Sequence, residues 1–117
     1  MYALKNKVQL IGNLGNAPEI RSLDNKRKVA RFTVATNETY ENAKGEKVTE
    51  TCWHNLIAWG RLAEHAELYL HRGSEVAIEG KLVSKIYTDK EGNRRYITEI
   101  EVRELLMLGY RKKAHAA

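Results

Sequence analysis

Hydrophobic and polar residues alternate with a period of two in several separate stretches of the chain. The first stretch runs from residue 7 to near Leu14, and the second covers residues 30–36 around Phe32. A third stretch, at about residues 49–59, follows a polar segment whose tip is predicted at residues 44–46. Such alternation is typical of strands that bury one face, so three strands are predicted here.

The period changes between residues 60 and 73. Hydrophobic residues stand there at positions 62, 63, 66, 69 and 70, a spacing that places them on one face of a helix. Gly73 suits the left-handed position just past a helix end. We therefore expect one amphipathic helix of about three turns in this segment.

Strands resume after the predicted helix. Residues 76–82 and 96–102 alternate again, and the polar residues 89–93 between them predict a turn. Three strands, one helix and two strands is the order of an OB-fold. The sequence therefore predicts an all-β, five-stranded OB-fold Greek-key barrel over residues 1–108, with one α-helix between strands three and four. Residues 109–117 are expected to form a short basic C-terminal tail.

The composition narrows the class of protein. The 117 residues leave room for one domain, and 43% hydrophobic residues are enough for a packed core. The net charge of +5 favours an anionic partner, either nucleic acid or an acidic membrane surface. The single cysteine, Cys52, excludes an intrachain disulfide and fits a reducing cytoplasm. Because no apolar run is long enough to span a bilayer, we expect a cytoplasmic protein with no membrane partner.

Two tryptophans lie on the third predicted strand. Side chains alternate along a strand, so Trp53, Asn55, Ile57 and Trp59 share one face, opposite His54 and its neighbours. Periodicity alone would bury the tryptophan face, since it is the more apolar one. Exposed indoles would instead form a platform for nucleobases, each stacked base contributing about 1–3 kcal/mol whatever its identity. The pattern on this strand leaves both arrangements open.

Tyr40 and Tyr87 favour the exposed arrangement. Both tyrosines lie in polar, charged segments with few hydrophobic neighbours in sequence. The cations near them are Lys44, Lys47, Lys85, Lys90, Arg94 and Arg95. Each basic cluster alone is more typical of a solvated surface, but aromatic rings interleaved with cations on hairpins suit an unpaired nucleic-acid strand.

Short motifs follow one another along residues 6–108. They are NKVQLIGNLG at 6–15, APEIR at 17–21, VATN at 34–37, WHN at 53–55, GRLAE at 60–64, YLHRGS at 69–74, IEGKL at 78–82 and YTD at 87–89. Together they resemble the bacterial single-stranded DNA-binding (SSB) family. The resemblance implies an OB-fold that binds and protects single-stranded DNA, irrespective of its sequence, in replication, recombination and repair. It also implies a nucleoid-associated homotetramer, built as a dimer of dimers, with no catalysis, cofactor or metal.

The resemblance also points to individual residues. The family's stacking aromatics correspond to Tyr40, Trp53, Trp59 and Tyr87, two of which are smaller than the tryptophan common there. Trp59 stands where phenylalanine is common, and Asn55 where a basic residue is frequent. The full set of predicted nucleic-acid-binding residues is Lys7, Arg21, Tyr40, Trp53, Asn55, Trp59, Arg61, Arg72, Lys85, Tyr87 and Arg95.

Assembly is expected to use the first strand. An open strand edge pairs readily with a second copy, so Val8 and Leu10 are predicted at the subunit interface. His54 is predicted there too, since a protonatable ring is awkward in a dry monomer core. The family usually continues into a glycine- and proline-rich linker and an acidic tip that recruits replication proteins. This chain ends on basic residues at 111–117, so it is either a short member of the family or a truncated one. If the chain is complete at that point, recruitment through such a tip is not expected.

Two other classes of protein can be built on this fold. One is a primosomal protein-interaction module with weaker nucleic-acid binding, against which the four aromatic residues argue. The other is a small nuclease, which requires paired carboxylates for a metal beside an arginine. The four histidines and Cys52 show no metal-ligand spacing, and no third residue stands out to orient a nucleophile–base pair beside His54. No catalytic residue, cofactor or metal is predicted.

Overall fold

The computed structural model describes residues 5–23 and 26–108, and this part of the chain forms six strands and one helix. Their bounds are β1 Val8–Leu14, β2 Glu19–Ser22, β3 Lys28–Glu41, β4 Lys47–Trp59, α1 Arg61–Tyr69, β5 Glu75–Thr88 and β6 Arg94–Leu108. The strands form one sheet in the order β1-β5-β6-β4-β3-β2, and β1 also pairs with β3, which closes a barrel. The predicted tail at residues 109–117 lies outside the described residues.

The predicted OB-fold is confirmed. Five strands close the barrel, and α1 lies between β4 and β5, the third and fourth of these five. The short strand β2 is the element that the sequence pattern does not predict. It pairs with the start of β3, from Glu19 opposite Arg31 to Ser22 opposite Lys28, whereas β1 pairs with β3 further along. The break between β1 and β2 contains Pro18, which has no N–H to donate to a strand ladder.

Inward-facing residues of the barrel strands form the hydrophobic core. The buried core residues on the strands are Leu14, Ala30, Phe32, Val34, Leu56, Ala58, Val76, Ile78, Ile100 and Val102. Helix α1 adds Ala63 and Ala66, both fully buried, where it packs against β3, β4 and β6. Their small side chains let the helix backbone approach the barrel closely.

Helix α1 is shorter than the hydrophobic spacing predicts. It ends at Tyr69 because Leu70 adopts an extended backbone that places its side chain in the core. Gly73 has the predicted positive φ, 91°, but it lies in the following turn and not directly past the helix end. Lys28 Nζ donates a 2.6 Å hydrogen bond to Glu67 Oε1, which ties α1 to β3 and raises the pKa of Lys28.

Strands β1 and β3 approach each other closely where the barrel closes. Gly12 precedes Asn13 and Leu14, which pair with Ala35 and Val34. A Cβ atom on Gly12 would lie 2.2 Å from the carbonyl oxygen of Ala35, far inside van der Waals contact. Only glycine therefore fits here without moving one of the two strands.

Candidate nucleic-acid interface

Two long hairpins extend from the barrel on the same side of a short contact between β4 and β6, which we call the seam. The first arm is the β3–β4 hairpin, which is paired without interruption as far as Glu41 opposite Lys47, and the second arm is the β5–β6 hairpin. Strands β4 and β6 pair only through Leu56 with Ile100 and Ile57 with Glu101. A cleft opens beside this seam, lined by Asn16, Glu19, Arg31, Phe32, Thr33, Asn55, Leu56, Ile97 and Glu99.

Trp53 lies on the outer face of the first arm, next to the cleft. It is 60% exposed, so the exposed arrangement holds for this indole. A Cβ atom on Gly15 would lie 2.3 Å from Trp53 Cζ3, which means that the indole rests directly on the Gly15 backbone. The apolar residue buried on this strand face is Ile57. The six-membered ring of Trp53 thus packs on Gly15, and most of the side chain remains open to a ligand.

Trp59 has a different environment on the same strand face. It is half-buried, and the guanidinium carbon of Arg27 lies 5.0 Å from the centroid of its ring. This is a cation–π contact, and it covers part of the indole. Sequence patterning did not single out Arg27, because the contact joins residues that are 32 positions apart.

Tyr40 is exposed, but it does not share a strand face with Trp53. The β3–β4 register is regular, with Trp53 opposite Ala35 and Tyr40 opposite Val48. Residues 35 and 40 are an odd number of positions apart, so their side chains point to opposite faces of the first arm. A bound ligand that contacts both rings must therefore pass around this arm.

Tyr87 is exposed on the second arm, on the same strand face as Lys85 and opposite Arg95. Arg95 Nε donates a 2.9 Å hydrogen bond to Asp89 Oδ2, so this cation is held at the hairpin tip. Asp89 Oδ1 also accepts from the backbone N–H groups of Glu91 and Asn93. The predicted contact residue Arg95 therefore already has a carboxylate partner within its own arm.

We expect the tip of the second arm to respond to acid. Arg95 first, and then the Asn93 N–H, hold the pKa of Asp89 below its ordinary value. A lowered folded-state pKa stabilises the tip above the ordinary carboxyl range, and this stabilisation is lost as the pH falls through the lowered value. The amide NMR shifts of Glu91 and Asn93 should therefore titrate in that acidic range. The Asp89→Asn variant should lack this titration, and insensitive amides in the parent protein would contradict the assignment.

Lys85 and Arg31 flank a buried carboxylate. Glu99 is 6% exposed; Lys85 Nζ lies 3.4 Å from its Oε1, and Arg31 Nε donates to its Oε2 at 3.3 Å. Sequence reasoning predicted Lys85 but missed Arg31 and Glu99. The available signal was Arg31 itself, a charged residue within the alternating strand pattern of residues 30–36.

The other predicted cations do not line the cleft. Lys7 Nζ lies 3.8 Å from Oε2 of Glu79 on β5, and Arg21 is exposed on β2. Arg61 begins α1, and Arg72 is exposed in the turn before β5. The structure thus brings Trp53, Asn55 and Lys85 near one cleft, and it distributes these four cations elsewhere on the surface.

The predicted interface residues lie in two places. Val8 and Leu10 are half-buried and pack against the core, whereas Ile11, which follows Leu10, is 64% exposed. Ile11 pairs with Ala77, and Ala77 pairs with the exposed Leu106, so these three residues form an apolar row across β1, β5 and β6. His54 is half-buried on the face opposite Trp53, with Nε2 3.0 Å from Thr36 Oγ1.

Membrane-spanning helices and metal sites each require a characteristic arrangement of residues. Within residues 5–23 and 26–108, no helix has the length and hydropathy needed to cross a membrane. In the same residues, no group of three or more His, Cys, Asp or Glu side chains is arranged to hold a metal ion.

Known proteins resemble both the sequence and the fold. Residues 5–108 match the model of the Single-strand binding protein family. "Single-stranded DNA-binding protein 1" of Xylella fastidiosa is 45% identical over 89% of this chain and 77% of its own length. Its namesake in Chlorobaculum tepidum is 43% identical over 89% of this chain and 65% of its own length. The "Single-stranded DNA-binding protein" of Neisseria meningitidis is 43% identical over 92% of this chain and 62% of its own length.

A solved structure extends the comparison to three dimensions. The structure described as "Plasmodium falciparum SSB complex with ssDNA" superimposes with a TM-score of 0.80 and 30% sequence identity. The match covers 88% of this chain and 94% of that one. The family model matches most of the chain, and relatives above 40% identity agree with it, so this chain belongs to the Single-strand binding protein family.

Proposed function

We propose that this chain binds single-stranded DNA irrespective of its sequence, without catalysis, and protects it in replication, recombination and repair. The observation that carries the proposal is the exposed Trp53 indole, supported by Gly15 beside a cleft that has cations on both sides. Bases stack on such a ring, and the cations contact phosphates. The names of the relatives support the same ligand, and a nucleoid-associated location in the cytoplasm would follow from it.

A fluorescence titration tests the proposal. Oligo-dT added to the protein at two salt concentrations should quench the tryptophan signal strongly, with weaker binding at the higher concentration. Double-stranded DNA of the same length is the control ligand. An unquenched signal together with no binding would overturn the proposal and leave the OB-fold protein-interaction module as the alternative.

Lys85→Ala should reduce the salt dependence of binding. Each phosphate that a side chain neutralises on a single strand adds about 0.7 to the slope of log K against log salt. Losing the Lys85 contact should flatten the slope by about that amount, equally for different base sequences. Arg103→Ala is the matched control, because Arg103 lines the groove beside Ile11 and not the cleft. A Lys85→Ala slope equal to that of the parent protein would remove Lys85 from the contact surface.

We further propose that the chain assembles as a homotetramer, a dimer of dimers. Strand β1 pairs with β3 only through Asn13 and Leu14, so the edge of β1 before them is open for pairing with a second copy. The exposed Ile11 and Leu106 lie next to this edge, in the apolar row across β1, β5 and β6. Symmetric pairing would satisfy the edge without fibre growth.

Light scattering at micromolar concentration should report about four chain masses. Both His54→Glu and Ile11→Glu should shift the protein toward smaller species, since each introduces a charge at a proposed contact. Glu50→Gln, an exposed change on the first arm, should leave the mass unchanged. A parent protein that is monomeric across this range would overturn the assembly proposal and leave DNA binding unaffected.

A further inference from the structure

Glu99 is a buried carboxylate on the outer face of the barrel. Its side chain is 6% exposed and lines the cleft at the seam between the two arms. Arg31 of the first arm donates through Nε to Oε2, and Lys85 of the second arm lies 3.4 Å from Oε1. Oε1 accepts no hydrogen bond from any described residue, so Lys85 contacts it as an ion pair only.

This arrangement leaves most of the donors of both cations available. A guanidinium carries five N–H groups, and the contact with Glu99 uses the single one on Arg31 Nε. The Arg31 and Lys85 side chains are 43% and 45% exposed, so both reach solvent from the two sides of the cleft. A buried carboxylate that loses its cations is strongly unfavourable, which keeps both of them in place.

We propose that Glu99 is a positioning residue, which holds Arg31 and Lys85 on the two arms as a pair of phosphate contacts for one bound strand. The inference rests on the proposed function, because it concerns the same cleft. The contact with Glu99 leaves the two terminal amino groups of Arg31 unused, and paired N–H groups of a guanidinium suit the two oxygens of a phosphate. Fixing both cations before binding lowers the ordering cost at the moment of binding.

The direction in which Kd changes when Glu99 is neutralised distinguishes a positioning role from a purely electrostatic one. Glu99 carries a negative charge close to the bound phosphates, so by electrostatics alone its neutralisation should tighten binding. If Glu99 instead orients the two cations, its neutralisation should weaken binding although the net charge becomes more positive. The two roles therefore predict opposite changes in Kd.

Glu99→Gln is the test variant and Glu101→Gln is the matched control. Glu101 lies two residues further along β6 on the same face, and it forms no ion pair with the described residues. With oligo-dT, Glu99→Gln should bind at least about fivefold more weakly, because each oriented donor to a charged partner contributes substantially. Its salt slope should flatten by up to about 1.4, or two contacts. Glu101→Gln should bind as well as the parent protein or more tightly.

Two further variants test the same role of Glu99 independently. Arg31→Ala removes a half-exposed side chain and should flatten the slope by about 0.7 even if Glu99→Gln folds poorly in thermal melts. Adding Glu99→Gln to Arg31→Ala should then cost less than it does in the parent protein, because one of the two positioned cations is already absent.

Tighter binding by folded Glu99→Gln, or an unchanged slope in Arg31→Ala, would overturn the positioning role and leave the proposed function intact. A parent protein that fails to bind oligo-dT would overturn both.

Discussion

Trp53→Ala should weaken the binding of oligo-dT by about 1–3 kcal/mol and leave the fold intact. The indole is 60% exposed and rests on the Gly15 backbone, so its removal opens the surface and creates no enclosed cavity. The lost free energy is that of one stacked base, and it should be similar for all four bases because each presents an aromatic face. Fluorescence anisotropy of a labelled oligonucleotide measures the change.

Tyr96→Ala is the control for the Trp53 variant. Tyr96 is an exposed aromatic residue on the second arm, but the strand register places it on the face opposite Tyr87 and Lys85. Its removal should leave the affinity unchanged. A Trp53→Ala protein that simply unfolds would show that the indole stabilises the barrel, and unchanged affinity would show that no base stacks on it.

Gly12→Val should destabilise the barrel by at least about 2 kcal/mol. Any Cβ at this position would meet the Ala35 carbonyl 2.2 Å away, and the obstacle is backbone, which cannot rotate aside as a side chain can. Relief requires β1 to move from β3 at the point where the barrel closes. Urea unfolding followed by circular dichroism measures the loss.

Glu38→Val is the control for Gly12→Val. Glu38 is exposed on β3 and lies outside the proposed subunit contact, so the same residue introduced there should change the free energy of unfolding by no more than about 0.5 kcal/mol. Equal stabilities of the two variants would mean that β1 can shift freely and that the close approach at Gly12 is not required for closure.

Much of this fold follows from local patterning. Alternation around Phe32 and helical spacing after residue 60 are local properties, and they were enough to predict the OB-fold order. The short strand β2 was not predicted, because only Ile20 of its four residues is partly buried and one such residue shows no period. The helix end was wrong because the burial of Leu70 depends on the whole barrel and not on the helical spacing.

The candidate site was harder to predict from the sequence than the fold. The strand pattern offered a buried and an exposed tryptophan face, and the structure exposes Trp53 while burying Ile57 beside it. Alternation alone cannot decide this, since both faces of β4 contain buried residues close to the seam. The cluster of Arg31, Lys85 and Glu99 joins three strands across as many as 68 positions of sequence, a separation that no local motif records.

The seam between β4 and β6 has a mechanical consequence. Only two residue pairs join these strands, whereas each arm is held together by a long, regular ladder. We therefore expect the arms to be stiffer than their junction, so that small rotations about Leu56–Ile57 and Ile100–Glu101 would change the width of the cleft with little loss of hydrogen bonding. A cleft of adjustable width would accommodate purines and pyrimidines at similar cost, so that tolerance of base sequence would follow from compliance of the barrel as well as from the chemistry of stacking.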